Sequence, residues 1–497
     1  MKAQHIMKPQ RGSLLSWQGC TKLWTEPRAV PARSAQECPP ALGDPERPGT
    51  VGSAASRDGS RFGALEAAQL ILVVALALLL GLSGCGKPGG NNAGKPDAAL
   101  ADRLEAIRQA GQPVTLTELN AWYPEPPAGE NAAPLYADAF AALAVADAKL
   151  PSFLTKNEPA LALLHKAAGK SQCRYPIDLS EGALALLPHL AKIKTCAQLL
   201  SRETVANAAK GRVDLAAQDV IDGLRLAGSL EQEPVQISQL VRISAEALIQ
   251  SGLEGALGLK PFTEEQLVRL QAALAQEEGT IGPSLARSFA AARCTVISLF
   301  QMPLPQYEKL AGSAGTNCPL GAPAEFERYR QGAVGRADFN LCLDYFSNWL
   351  AVAAAPFPAC MEAADQWAPG AEALVSDAKA KGCRVAAAML PPLNGTMEKE
   401  ADCVGQLRAA QAALAVERYR LGTGSALPDS LGQLVPKYLV AVPDDPYDGK
   451  PLRYKKLTPK AYVVYSIGRN RVDDGGVPKP TAGNADGPYD LTFAVRR

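Results

Sequence analysis

Histidine is almost missing from this chain: His5, His165 and His189 are all that occur in 497 residues. That shortage removes the commonest general base and the commonest zinc ligand from nearly the whole sequence. Aromatic residues are sparse, at 6%. The sequence has no H-E-x-x-H pair, no G-x-S-x-G elbow and no phosphate-binding P-loop, so it offers none of the familiar patterns for metalloprotease, serine-hydrolase or nucleotide chemistry. An excess of one charge is also lacking, with 51 Lys and Arg against 50 Asp and Glu. Basic residues cluster only in short pairs such as Lys455-Lys456, which argues against a nucleic-acid partner, because that partner needs a dense basic face. What the chain does have is 47% hydrophobic residues, enough to fill real cores and to exclude a wholly disordered protein.

Long apolar runs are scarce too. The one that stands out is Gln69-Leu-Ile-Leu-Val-Val-Ala-Leu-Ala-Leu-Leu-Leu-Gly-Leu-Ser-Gly-Cys85. At roughly 15 uncharged residues it is short for a spanning helix, which needs about 20, and it suits the apolar region of a signal peptide. Its end, Leu82-Ser83-Gly84-Cys85, resembles the lipobox of bacterial lipoproteins at every position. The resemblance implies that Cys85 receives a diacylglyceryl group and becomes the acylated first residue after cleavage, and several chains on one residue make a durable anchor. An uncleaved single-span anchor is the alternative. Positions 86 to 96, Gly-Lys-Pro-Gly-Gly-Asn-Asn-Ala-Gly-Lys-Pro, favour the lipoprotein, because their composition makes a flexible tether. Gly86 in place of Asp points by the same resemblance to the outer membrane.

About 65 residues precede the apolar run, and positions 1–60 are rich in Pro, Gly, Ser and Arg without amphipathic period. They read as a disordered or mis-assigned extension, with 61–84 as signal peptide and 85–97 as lipidated tether. Removing the nine basic and six acidic residues of positions 1 to 84 leaves 42 against 44, so the mature chain carries about −2.

Eight cysteines follow Cys85, namely Cys173, Cys196, Cys294, Cys318, Cys342, Cys360, Cys383 and Cys403. None has C-x-x-C spacing, and His165 and His189, the only histidines beyond Cys85, have no second ligand at zinc-like spacing, so a structural zinc site is not expected. In an oxidising compartment the even count favours disulfides over buried free thiols.

The fold class expected is mainly α, an antiparallel helical array followed by a small α+β C-terminal module. Apolar residues recur at three and four over 98–300, as in Leu267-Val-Arg-Leu-Gln-Ala-Ala-Leu274, which predicts a helical domain. Within it, Ala208 to Ala227 resembles one copy of the first part of a tetratricopeptide repeat, with no partner 34 residues away. Region 301–400 reads as helices interrupted by prolines and tied by cysteines. A helix is predicted from about Met397 to Leu421, stopped by Gly422. Strands are predicted at Pro451–Tyr454 and Ala461–Ile467, from their β-branched and aromatic content.

The segment 401–497 resembles the soluble half of the major pseudopilins of type II secretion systems. The matching residues are Glu417-Arg-Tyr-Arg-Leu-Gly422, Leu427-Pro428, Leu434-Val-Pro436, Asp445-Pro446, Gly449-Lys-Pro-Leu-Arg-Tyr454 and Tyr465-Ser-Ile-Gly468. No prepilin cleavage motif or assembly helix adjoins this part, so the resemblance implies a borrowed module and not a polymerising subunit. In that family the loop after the last core strand can hold Ca²⁺, which implies Asp473, Asp474, Asp486 and Asp490 as donors. A plain solvated acidic loop is the alternative. The remainder is similar to large uncharacterised bacterial envelope proteins, through Gly129-Glu-Asn-Ala-Ala-Pro-Leu-Tyr136 and Cys173-Arg-Tyr-Pro-Ile-Asp-Leu179.

His165 and His189 each sit among aliphatics at helical spacing and read as satisfied or partly exposed helix residues. Trp122, Tyr123, Tyr136, Phe140 and Phe153 read as core more than as pocket lining. The expected function is a lipid-anchored, periplasm-facing envelope protein without enzymatic activity. It would serve as a binding or scaffold module linked to secretion or envelope assembly, with the membrane and other envelope proteins as partners. The alternative is an envelope hydrolase whose catalytic groups follow no recognisable pattern.

Overall fold

The computed structural model describes residues 98–144, 150–314, 318–480 and 488–497. The lipobox, Cys85 and Asp486 lie outside them. The described chain enters through short helices: α1 (Ala98–Gln109), α2 (Leu116–Trp122), α3 (Ala133–Ala142), α4 (Leu150–Lys156) and α5 (Glu158–Ala168). Three longer ones follow, α6 (His189–Ala209), α7 (Val213–Gly228) and α8 (Gln236–Leu259). The turn at Lys210-Gly211-Arg212 is too short for anything but an antiparallel α6–α7 hairpin. Gly223 of α7 has Ile249 2.3 Å from where a Cβ would stand, and Gly252 of α8 meets the Ser201 backbone at 3.0 Å. These helices therefore approach as closely as they do only because glycine is present.

The 38-residue helix α9 (Glu264–Gln301) is the spine. Its start is set by a capping box, in which Thr263 accepts from Gln266 N while the Gln266 side chain accepts from Thr263 N. At 1.5 Å per residue it spans about 57 Å, long enough to serve two cores. Ile281 belongs to the first core and Leu285 to the second, with Pro283 between them. The second core is completed by α10 (Leu304–Ala314), α11 (Pro323–Gln331), α12 (Ala333–Ala353), α13 (Ala359–Ala380) and α14 (Arg384–Met389). Trp349 is buried in it, and Phe300 stacks on Phe339 with ring centres 4.4 Å apart. Asp338 of α12 is fully buried and accepts from Val385 N and Ala386 N, which caps the start of α14 from a neighbouring helix.

Helix α15 (Asn394–Gly422) runs past the predicted end at Leu421 by one residue and begins three earlier than Met397. Met397 and Ala401 lie in the second core, and Leu407, Leu414 and Val416 in the first. Against it packs an antiparallel sheet of order β1 (Arg453–Thr458), β2 (Ala461–Ser466) and β3 (Leu491–Val495). Tyr454 pairs with Val464, and Val464 with Phe493. All six residues of β2 are buried, as befits a central strand with α15 on one face. The strand predicted at 451–454 begins two residues later and runs to Thr458, and β3 was not foreseen. Its five residues are too short a run for alternation to declare itself before a partner strand is known.

The disulfide expectation is corrected: all eight described cysteines are unpaired. Six of them are buried in the helical cores, where Cys294, Cys342 and Cys403 also donate to Thr115 O, Asp338 Oδ1 and Glu246 Oε2. Burial pushes the Cys196 and Cys360 thiols up to about 12. Tyr123, Tyr136 and Phe153 are buried core residues. Among the described residues no helix is long and apolar enough to cross a membrane.

Candidate functional site

Three helices of the first core bring polar side chains to one place. The hairpin register puts Asn207 near the end of α6 beside Asp219 near the start of α7, and Asn207 Nδ2 donates to Asp219 Oδ2 at 2.7 Å. One turn further from the hairpin on each helix stand Glu203 and Asp222. Helix α5 then lays His165 between them. Its Nδ1 is 2.7 Å from Asp222 Oδ2, and its Nε2 is 3.2 Å from Glu203 Oε2 and 3.9 Å from Asp219 Oδ1. Gln218 Nε2 donates to the other oxygen of Asp222 at 2.8 Å.

The asymmetry of exposure matters. Asp219 and Asp222 are all but buried, whereas the side chain of His165 keeps 32% of its surface and that of Glu203 21%. Hydrogen bonds to Asp222 and then Glu203 push the imidazole up to about 10, against the opposing effect of burial. Burial, and then the charge of Glu203, push the Asp219 carboxyl up to about 7. The arrangement stabilises positive charge at its centre. His165 Nε2, Glu203 and Asp219 offer one ligand atom each within 4.8 Å of one another, the one group of three such ligands among the described residues.

His189 is satisfied differently. It is buried, its Nε2 lies 3.0 Å from Glu233 Oε2, and its ring stacks on Tyr175 with centres 4.2 Å apart. Both histidines are thus paired helix residues, as read from sequence. The convergence around His165 was not legible: its members are scattered over 165, 203, 219 and 222, and the only local signal, Asp219 and Asp222 on one face of an apolar helix, is common in helices.

The residues proposed for calcium divide. Asp490 accepts from Gly476 N at 2.7 Å and from Asp474 N at 3.3 Å, and Asp473 Oδ1 accepts from Gly475 N at 2.9 Å and from the Tyr465 hydroxyl at 3.1 Å. Asp474 accepts from Asn470 Nδ2 at 2.8 Å. The structure brings these three into one loop, and Asp486 is outside the described residues.

A separate surface cleft of about 510 Å³ lies where α2 and the Leu179–Leu184 turn meet the ends of α9 and α10. Hydroxyls of Thr115, Ser180, Thr295 and Ser298 line it beside Leu184 and Leu299, and it shares no residue with the His165 cluster.

No protein-family model matches the chain. Comparison with curated proteins and with solved structures likewise found no match.

Proposed function

We propose that this protein is a lipid-anchored component of the bacterial envelope whose helical body works as a periplasm-facing binding or scaffold module. The observation that carries the reading is the lipobox at Cys85, followed by a Gly-rich tether that ends where the first described helix begins at Ala98. The tether, of about a dozen residues, lets a folded body sit off the bilayer and meet partners. The cleft, lined by hydroxyl and aliphatic residues together with the Lys309–Glu181 ion pair, suits a hydrogen-bonding ligand or peptide.

The C-terminal unit is proposed to share the pseudopilin fold, which is the source of the suggested link to secretion or envelope assembly. Support comes from residues on which the resemblance rests. Asp445 is fully buried and accepts from Ser466 Oγ, from the backbone N–H of Ile467 and Tyr447, and from Arg453, so the turn, β1 and β2 are tied at one carboxylate. Fractionation tests the proposal. The wild-type chain should sediment with membranes, and Cys85→Ser should move it to the soluble fraction; a mutant that stays membrane-bound would contradict it.

A further inference from the structure

We propose that His165, Glu203 and Asp219 form a binding site for one divalent transition-metal ion of the zinc class, with Asp222 as the residue that positions the imidazole. This goes beyond the anchoring and scaffold reading and stands independently of it.

Geometry is the first ground. Around a tetrahedral ion with bonds of about 2.1 Å, ligand atoms sit about 3.4 Å apart. The separations of Nε2 to Glu203 Oε2 and to Asp219 Oδ1 are 3.2 and 3.9 Å, so a contraction of about half an ångström is all that the longer one requires. The second ground is the support behind each ligand. Asp222 accepts from Nδ1 of His165, so an ion that displaces the Nε2 proton meets a ring whose other nitrogen is already held. Asn207 holds the far oxygen of Asp219, and Gln218 holds the far oxygen of Asp222. These are neutral amide donors, and they orient the carboxylates without cancelling their charge.

Charge is the third ground. Three carboxylates meet one imidazole, and Arg225 stands 4.0 Å from the Asp222 oxygen that faces away from His165, with 54% of its side chain in solvent. A cation at the centre offsets a repulsion that the neighbouring side chains leave in place. Access is the fourth. His165 and Glu203 are each partly exposed, so an ion can enter without unfolding the helices. One nitrogen and two oxygens suit zinc or a neighbouring first-row ion, and three protein ligands leave a coordination position for water.

The test uses the purified, untagged full chain, stripped with EDTA and titrated with Zn²⁺, with Co²⁺ as optical probe. The proposal expects one Zn²⁺ per chain and Co²⁺ ligand-field bands. It expects His165→Gln to abolish both, and Asp222→Asn to weaken binding by about 10–100-fold. Should His165→Gln lose helix content by circular dichroism, Glu203→Gln carries the same test, because its side chain is partly in solvent. Substoichiometric binding in the wild type, or unchanged binding in a folded variant, would show an ion-pair cluster only and overturn the site.

Discussion

Arg242 Nε donates to Glu246 Oε1 at 2.9 Å one turn along α8, and both side chains are buried. From α9, Glu277 closes on the same guanidinium, and α15 adds Glu400, also buried. One cation therefore faces three buried carboxylates, where each isolated charge is costly. Burial favours the protonated form of the carboxyls that the single guanidinium does not balance. Burial pushes Glu400 up to about 8 against the pull of Arg242, and pushes Glu277 up to about 8 as well.

A pH dependence follows. A carboxyl whose folded pKa is raised binds its proton more tightly in the folded state, so its contribution falls as pH rises from about 4.5 to about 8 and stays lost above that. Stability should decline across that window. Glu400→Gln should flatten the decline and leave the protein more stable than wild type at pH 9, by roughly 1–3 kcal/mol. Denaturant melts at pH 5, 7 and 9 would show it. Parallel curves for both proteins would contradict it.

Asp445 is the corresponding centre of the C-terminal unit. Asp445→Ala would leave the Ile467 and Tyr447 N–H groups and the Ser466 hydroxyl without this acceptor, while Arg453 would keep its bonds to Asp448. Leaving a buried donor unsatisfied costs about 1–3 kcal/mol, so the substitution should be clearly destabilising. Hydrogen exchange should reveal lost protection in β1 and β2, with less change in α6 to α8.

The thiols should count as free. Alkylation of denatured, unreduced mature chain should modify Cys173, Cys196, Cys294, Cys318, Cys342, Cys360, Cys383 and Cys403, read by mass. In the folded protein the partly exposed Cys173 and Cys318 should react ahead of the buried six. Fewer than eight modified thiols in the denatured chain would mean that export oxidises some of them.

Calcium has a distinct expected outcome. N–H and hydroxyl donors already meet Asp473 and Asp490, and Asn470 meets Asp474, so the loop is held without a cation. Melting of the metal-stripped full chain should be the same with and without added Ca²⁺. A rise with Ca²⁺ that Asp474→Ala removes would instead place the ion in this loop.

Much of the helical body was legible because helical period and a glycine stop are local in sequence. The recurrence of apolar residues along Leu267–Leu274 marks α9, and Gly422 the end of α15, within their own few residues. Strand β3 and the His165 cluster were not legible, since both exist only through partners distant in sequence: β3 needs β2, and His165 needs two other helices. The cysteines mislead for a related reason. An even count permits pairing, but only the helix packing decides which thiols can meet, and in this fold each is enclosed by apolar side chains or bonded elsewhere. Cys294, for example, donates to Thr115 O at 3.3 Å.

The anchor is the claim on which location and role depend, and metabolic labelling with a fatty-acid analogue tests it most directly. The account predicts that the wild-type chain takes up label, that its mature form begins at Cys85, and that Cys85→Ser carries no label. Label persisting on Cys85→Ser, or a wild-type chain without label, would contradict it.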